Sequence, residues 1–388
     1  MTGDPVDFLH DFVHIYWPSA RSVRLGGDPV AGYYAGPFLL LELWPFALLP
    51  LAIAKWLWFA GSIFEVFIGT KIAESIVLRD MGRPTRESIR TRAFLPIVVL
   101  AISMLSSVVV LDSLVMGQLG VLASLGVLAA IWLLKNEEAP NHDLEAGIAV
   151  GLTIALKPTW LPWLLFFVLI RRLRALAIAV TTILAANLLP VLVYGPDQVL
   201  HIAMLCLDRV DALRATIANA HDSQHFAHVV QRWLSYFAGS DPDLVARRLA
   251  MLVPASLACG FIASLVACAK RRSVVDAAML VACIAPLFVM TSWPLDFTML
   301  PFFQAMTVAR VLWCNPTPRR LVVLLTLSAT SIALSSVVLR HVSHGASDLG
   351  GSTLMAQWTI ALAWLASGTS SPTQHRSSVE RQDGLRRG

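Results

Sequence analysis

Charge is scarce in this sequence. Asp, Glu, Lys and Arg make up 14% of its 388 residues and hydrophobic residues 56%, where a soluble domain carries about 25% and roughly 45–50%. A single soluble domain and a disordered chain are thereby excluded. Cysteine is sparse as well, five in all and an odd number. Cys259, Cys268, Cys283 and Cys314 lie within or at the ends of apolar runs, and Cys206 sits in a polar stretch. No disulfide framework or zinc spacing emerges from them. Strand alternation of the outer-membrane-barrel kind is missing. So are a phosphate-cradling glycine loop, an HExxH pair and a nucleophile elbow. What the chain has instead is long apolar runs and a mean hydropathy of +0.67. It reads as an all-α, polytopic membrane bundle.

A spanning helix takes about 20 apolar residues. Residues 93–134 hold a single charge, Asp112, and are long enough for two such helices. The runs 175–196, 249–269, 277–295 and 321–339 each suit one, and 37–54, 56–78, 144–171, 297–314 and 353–368 are shorter or interrupted. The expectation is about ten to twelve membrane segments. Arginines gather in short connections, at 79–92, 171–174, 270–272 and 319–320, and in the tail. The positive-inside rule sets these in the cytoplasm and the net charge of +5 reports orientation, not nucleic-acid binding. The outer face then receives residues 112–118, a loop at about 196–247, the turn 292–296 and residues 341–352. That assignment conflicts with a full crossing at 37–54, which carries Pro37, Pro45 and Pro50. Three regions result: an outer N-terminal segment 1–36, a transmembrane domain 37–368, and a disordered cytoplasmic tail 369–388.

Several polar residues stand out against this background. Asp11, followed by Tyr16 and the turn Gly26-Gly27-Asp28-Pro29, reads either as a general base at the membrane surface or as a solvated acid. Asp112 and Gln118 flank the junction of two apolar runs, where the Gly117-Gln118 pair suits a polar contact at a helix start or Asp112 simply caps a helix end. Lys157 has apolar residues on both sides and is followed by Pro158. An ammonium near the bilayer centre costs roughly 2.5–3.5 kcal/mol, so it normally faces a cavity or a partner. The alternative is a lysine snorkelling at the interface beside Trp160 and Trp163. Trp293 and Asp296 together suit sugar binding by stacking and hydrogen bonding, although a capping Asp is as ordinary. His221, His225 and His228 have helical spacing that offers a metal face or simply a wet amphipathic helix. Neither a metal nor a cofactor is expected. Arg209 and Arg214 could meet an anionic head group or pair with Asp208 and Asp211.

In order, Asp11-Phe12 with Tyr16, Ala20-Arg21, Gly26-Gly27-Asp28-Pro29, Pro45 and Pro50, Gly117-Gln118, Ala146-Gly147…Gly151…Lys157-Pro158 ending at Arg171-Arg172, and Trp293…Asp296…Pro301 form a series. This series resembles the multi-spanning, polyprenyl-phosphate-sugar-dependent glycosyltransferases of fold type C, in the branch of bacterial mannosyl- and arabinofuranosyltransferases. The resemblance covers about residues 7–310. It implies a polyprenyl-phosphate-linked hexose or pentose as donor and a hydroxyl of an envelope glycan or lipid as acceptor, at the outer face of the plasma membrane. Asp11 would be the catalytic base and Lys157 would bind the donor phosphate. Tyr16, Arg21, Asp28, Gln118, Trp293 and Asp296 would bind substrate. Val30 replaces the family's usual Tyr, and Asp7 competes with Asp11 for the acidic position. The family's first membrane helix has no counterpart in the ten residues before Asp11. A start placed too late, or a degenerate copy, accounts for that.

Two other classes fit a polytopic chain. A transporter or flippase predicts interrupted helices at matching positions in two halves, and the Lys157-Pro158 break has no such counterpart. A catalytically inactive membrane subunit of the same fold is the third reading.

Overall fold

A computed structural model describes residues 8–80, 94–135, 141–218, 220, 223–270, 272–289, 294–313, 317–343 and 346–367. Among the described residues the chain is helical, with one isolated bridge between Ser107 and Ser336. The C-terminal tail and most of the Arg79–Arg92 connection lie outside the described residues.

A short π-helical turn, Phe12–Tyr16, runs directly into α1, Trp17–Arg24. Then come α2, Pro37–Glu42, and α3, Trp44–Ala47. Proline explains the fragmentation of 37–54. Pro37 and Pro45 occupy first turns, where a missing N–H does no harm, and neither can sit inside a continuous helix. The long helix begins only after Pro50, as α4, Leu51–Asp80.

Residues 93–134 form three helices, not the two expected: α5, Phe94–Ser106, α6, Val108–Met116, and α7, Gly120–Lys135. Gly117 ends α6 in the left-handed region at φ 71°, which glycine adopts without steric cost. Next, α8, His142–Leu156, stops at Lys157, because the residue before a proline is pushed out of helical geometry. A 3₁₀ turn, Pro158–Trp163, leads to α9, Leu164–Leu169, and α10, Leu173–Tyr194. The remainder is α11, Pro196–Ala218, α12, Phe226–Ala238, α13, Pro242–Cys268, and α14, Val274–Phe288. A 3₁₀ turn, Pro294–Phe297, precedes α15, Leu300–Trp313, followed by α16, Pro318–Leu334, and α17, Val337–Val342. The chain closes with α18, Ala346–Leu349, and α19, Ser352–Ala366.

Among the described residues, three helices are long and apolar enough to cross a bilayer: Leu51–Arg79 in α4, α10 and α13. Five further apolar helices among the described residues are shorter. Leu184, Leu188 and Leu192 on α10 are all more than half exposed, as befits a face that meets lipid.

The main core joins α7, α8, α14 and α15, while the N-terminal segment packs with α2, α3 and Leu119 into a second cluster. Helix α8 lies very close to α10. A methyl group added at Gly147 would stand 2.7 Å from the Ala175 carbonyl oxygen, and one at Gly151 would stand 2.7 Å from that of Ala179. This small-residue pair, four apart, is what lets two helix backbones approach. Gly151→Val should therefore lower the thermal unfolding midpoint in detergent, with a cost of about 1–3 kcal/mol from overpacking. Gly61→Ala, where an added Cβ meets nothing within 4 Å, is the matched control and should not lower that midpoint, since alanine suits a helix interior better than glycine.

Candidate active site

Asp11 sits at the N-terminal end of the π-helical turn and is buried, 7% exposed. Leu9, just before it, adopts φ 62° and donates its N–H to the Val115 carbonyl at 2.6 Å. That bond ties the N-terminal segment to the end of α6. Gln118 follows the left-handed turn at Gly117, and its Nε2 donates to Asp11 Oδ2. The Tyr16 hydroxyl donates to Gln118 Oε1 at 2.9 Å. One carboxamide thus joins the acid and the phenol, through partners more than a hundred positions apart in the chain. Three of the residues singled out in the sequence meet here.

Lys157 and Asp296 form a second pair. Lys157 caps α8, and its Nζ lies 2.7 Å from Asp296 Oδ1 in the turn before α15, with both side chains about nine-tenths buried. Lys157 does not snorkel: its ammonium is buried and has a partner. Asp296, expected beside a sugar, is that partner. The two pairs feel each other, since Lys157 acts on the Asp11 charge and Asp296 on the Tyr16 phenol.

Burial pushes the Asp11 carboxyl up to about 6, against the opposing pull of His10 and Lys157. As a general base, the role the family resemblance implies, Asp11 would work only when ionised, and activity would then rise with pH through about 6 and level off above it. Below that point the rate should drop about tenfold per pH unit. Removing the Lys157 charge should move this limb to higher pH. A pH–rate profile of wild type and Lys157→Met measures both.

The remaining candidates lie apart from this cluster. Arg21 is exposed and sits over the Trp17 ring, 5.0 Å from its centroid. Asp28 is exposed and lies 2.9 Å from His201. Trp293 lies outside the described residues, as does Asp7. Asp112 does not cap a helix: it falls inside α6 and pairs with Arg340. His221 also lies outside the described residues, and His225 and His228 are buried instead of wet. Burial lowers these two imidazoles to about 4 and about 3, with His225 adding to the effect on His228, so both are neutral. Among the described residues no group of three His, Cys, Asp or Glu could hold a metal.

Two supporting contacts escape sequence reasoning. Trp58 on α4 stacks on Phe12 with centroids 4.8 Å apart, and its Nε1 donates to the Gly117 carbonyl at 3.1 Å. It grips both halves of the Asp11–Gln118 contact, yet near the start of a spanning helix it reads as an interfacial anchor. Arg209 on α11 is bound by the N-terminal loop. It donates to the carbonyls of Pro29 and Val30, both at 2.8 Å, and so clamps the loop after Gly26-Gly27.

A family profile, glycosyltransferase family 87, matches residues 33–292, well over half of the chain. The chain belongs to glycosyltransferase family 87. It is accordingly a helical membrane protein of a glycosyltransferase family, acting between a sugar donor and an acceptor. The matched stretch contains Gln118 and Lys157, whereas Asp11, Tyr16, Arg21 and Asp28 precede it and Trp293 and Asp296 follow. Neither a curated protein nor a solved structure matches the chain.

Proposed function

We propose that this family 87 protein moves a mannose-like hexose, or a pentose, from a polyprenyl-phosphate carrier to a hydroxyl of an envelope glycan or glycolipid. The reaction takes place at the outer face of the plasma membrane. The observation that carries this reading is a buried, hydrogen-bonded carboxylate within electrostatic reach of a buried ammonium, on a chain that belongs to a glycosyltransferase family.

Asp11 takes the proton from the acceptor hydroxyl as its oxygen attacks the anomeric carbon. The bond from that carbon to the phosphate oxygen breaks, and its electron pair leaves with polyprenyl phosphate. Lys157 stabilises the negative charge gathering on the departing phosphate, and Gln118 with Tyr16 holds the base in register. The ordered motifs from Asp11 to Asp296, through their family resemblance, support a lipid-linked donor over a nucleotide sugar. The arginine-rich connections support an outward-facing site.

The donor class is directly testable. The purified chain, reconstituted in vesicles, should transfer sugar from a polyprenyl-phosphate donor and fail with nucleotide sugars. Transfer from a nucleotide sugar in a carrier-free preparation overturns the proposal.

A further inference from the structure

Two basic connections of the sequence, 171–174 and 270–272, meet in the fold. The backbone N–H of Arg272 donates to the Leu169 carbonyl at 3.1 Å, so the loop after α13 lies against the end of α9. Arg171, Arg172 and Arg174 from one side thereby share a surface with Lys270 and Arg272 from the other. Arg171, Arg174 and Lys270 are exposed, and among the described residues none of the three has an acidic partner. Two of the acids nearby are already engaged. Asp143, in the first turn of α8, lies 3.6 Å from Arg172, and Asp276 on α14 lies 3.0 Å from Arg310. Glu145, in the same turn as Asp143, is exposed and offsets one cation at most.

Backbone chemistry does not ask for these cations. Helix α9 closes with the Arg172 N–H donating to the Phe167 carbonyl at 2.9 Å and the Arg171 N–H to the Val168 carbonyl at 3.0 Å, the Schellman pattern. Arg171 therefore holds the left-handed position, at φ 57°, which glycine takes without steric cost and a residue with a Cβ does not. Arg172 is the N-cap of α10 and Arg174 lies in its first turn, where a cation opposes the helix dipole. An orientation signal needs charge somewhere in the connection. It does not need charge at the one position that strains the backbone.

Both connections adjoin helices long and apolar enough to cross a bilayer, α10 and α13. Leu173, Leu265 and Val266, close to the cations in the chain, are each more than half exposed. Charge and lipid-facing apolar surface thus lie side by side. We infer that Arg171, Arg174, Lys270 and Arg272 form a binding site for the head group of an anionic phospholipid, whose acyl chains lie against α10 and α13. Guanidinium groups match a phosphate in charge and in hydrogen-bond geometry, and basic pockets between spanning helices take such head groups. A soluble phosphate would use the cations and leave the apolar surface unfilled. The site uses neither Asp11 nor Lys157, so its failure leaves the proposed reaction untouched.

The test titrates the full chain, purified in uncharged detergent, with phosphatidylglycerol or phosphatidylcholine and reads bound lipid by native mass spectrometry. Phosphatidylglycerol should bind at least tenfold more tightly. Each cation near a membrane surface is worth about a fivefold step in affinity for anionic lipid. Arg171→Gly should therefore remove about fivefold of the preference, with a thermal unfolding midpoint no lower than wild type, because glycine suits φ 57°. Arg174→Gln with Lys270→Gln should remove most of the preference, and decides the matter if Arg171→Gly fails to fold. All three changes together should abolish it. Arg319→Gln, which removes an exposed cation from the connection before α16, should leave it unchanged. Equal binding of both lipids by wild type, a preference that survives the triple variant, or a loss from Arg319→Gln as large as that from Arg171→Gly would each overturn the inference. Displacement of phosphatidylglycerol by inorganic phosphate at equal concentration would also overturn it, by assigning the site to a soluble anion.

Discussion

Asp11→Asn should lower turnover about a hundredfold or more while the chain still inserts and folds, the range expected for loss of a positioned general base. The substitution is nearly isosteric, and an amide oxygen can still accept from Gln118 Nε2 as the carboxylate does. What it removes is the capacity to take a proton. Burial has already raised the Asp11 carboxyl to about 6, close to the pH at which a base is most effective, so the loss should be near its full extent at neutral pH. Initial rates with a polyprenyl-phosphate donor, beside the thermal unfolding midpoint of each variant, separate chemistry from folding. Asp7→Asn should change the rate little, and equal losses from the two variants would show that the N-terminal acid has been misassigned. Gln118→Leu should fall between them, because it frees Asp11 and Tyr16 from their shared partner without removing the base.

How much of this site could be read in advance depended on the kind of signal. Asp11, Tyr16 and Gln118 were legible through short motifs in order, and Lys157 through its apolar flanks and the proline after it. The break of α8 at Lys157 was local chemistry and followed from Pro158. Partnership was not local. Asp296 reads as a sugar ligand until folding brings it to Lys157, and Arg209 as a head-group contact until α11 reaches the Pro29 carbonyl. His225 and His228 show the same limit from the other side: helical spacing offered a wet face, and packing of α12 against α13 and α14 closed it. The expected helix over 277–295 ends at Phe288, because apolar composition sets how far a run can extend and not where the backbone turns.

Lys157→Met should abolish most activity, and the Lys157–Asp296 pair changes what else it does. An isolated buried lysine could be removed with a gain in stability, since its desolvation is costly. Here the deletion strands Asp296, whose side chain is 11% exposed, and breaking a buried pair from one side costs about 3–5 kcal/mol. The single variant should therefore be both inactive and less stable. Lys157→Met combined with Asp296→Asn should recover stability and remain inactive, because no cation is restored to the departing phosphate. Preorganised electrostatic donors of this kind are worth about 2.7–4 kcal/mol each in the transition state, so the double variant should retain about 1% of the rate or less. Lys157→Arg should be intermediate: it keeps the charge and replaces a compact ammonium with a planar fork. A cysteine at 157 should react from the outer side, and more slowly once donor is bound. Reaction only from the cytoplasmic side would invert the orientation and remove Lys157 from an outward-facing donor. An active double variant would show that the ammonium serves only to neutralise Asp296.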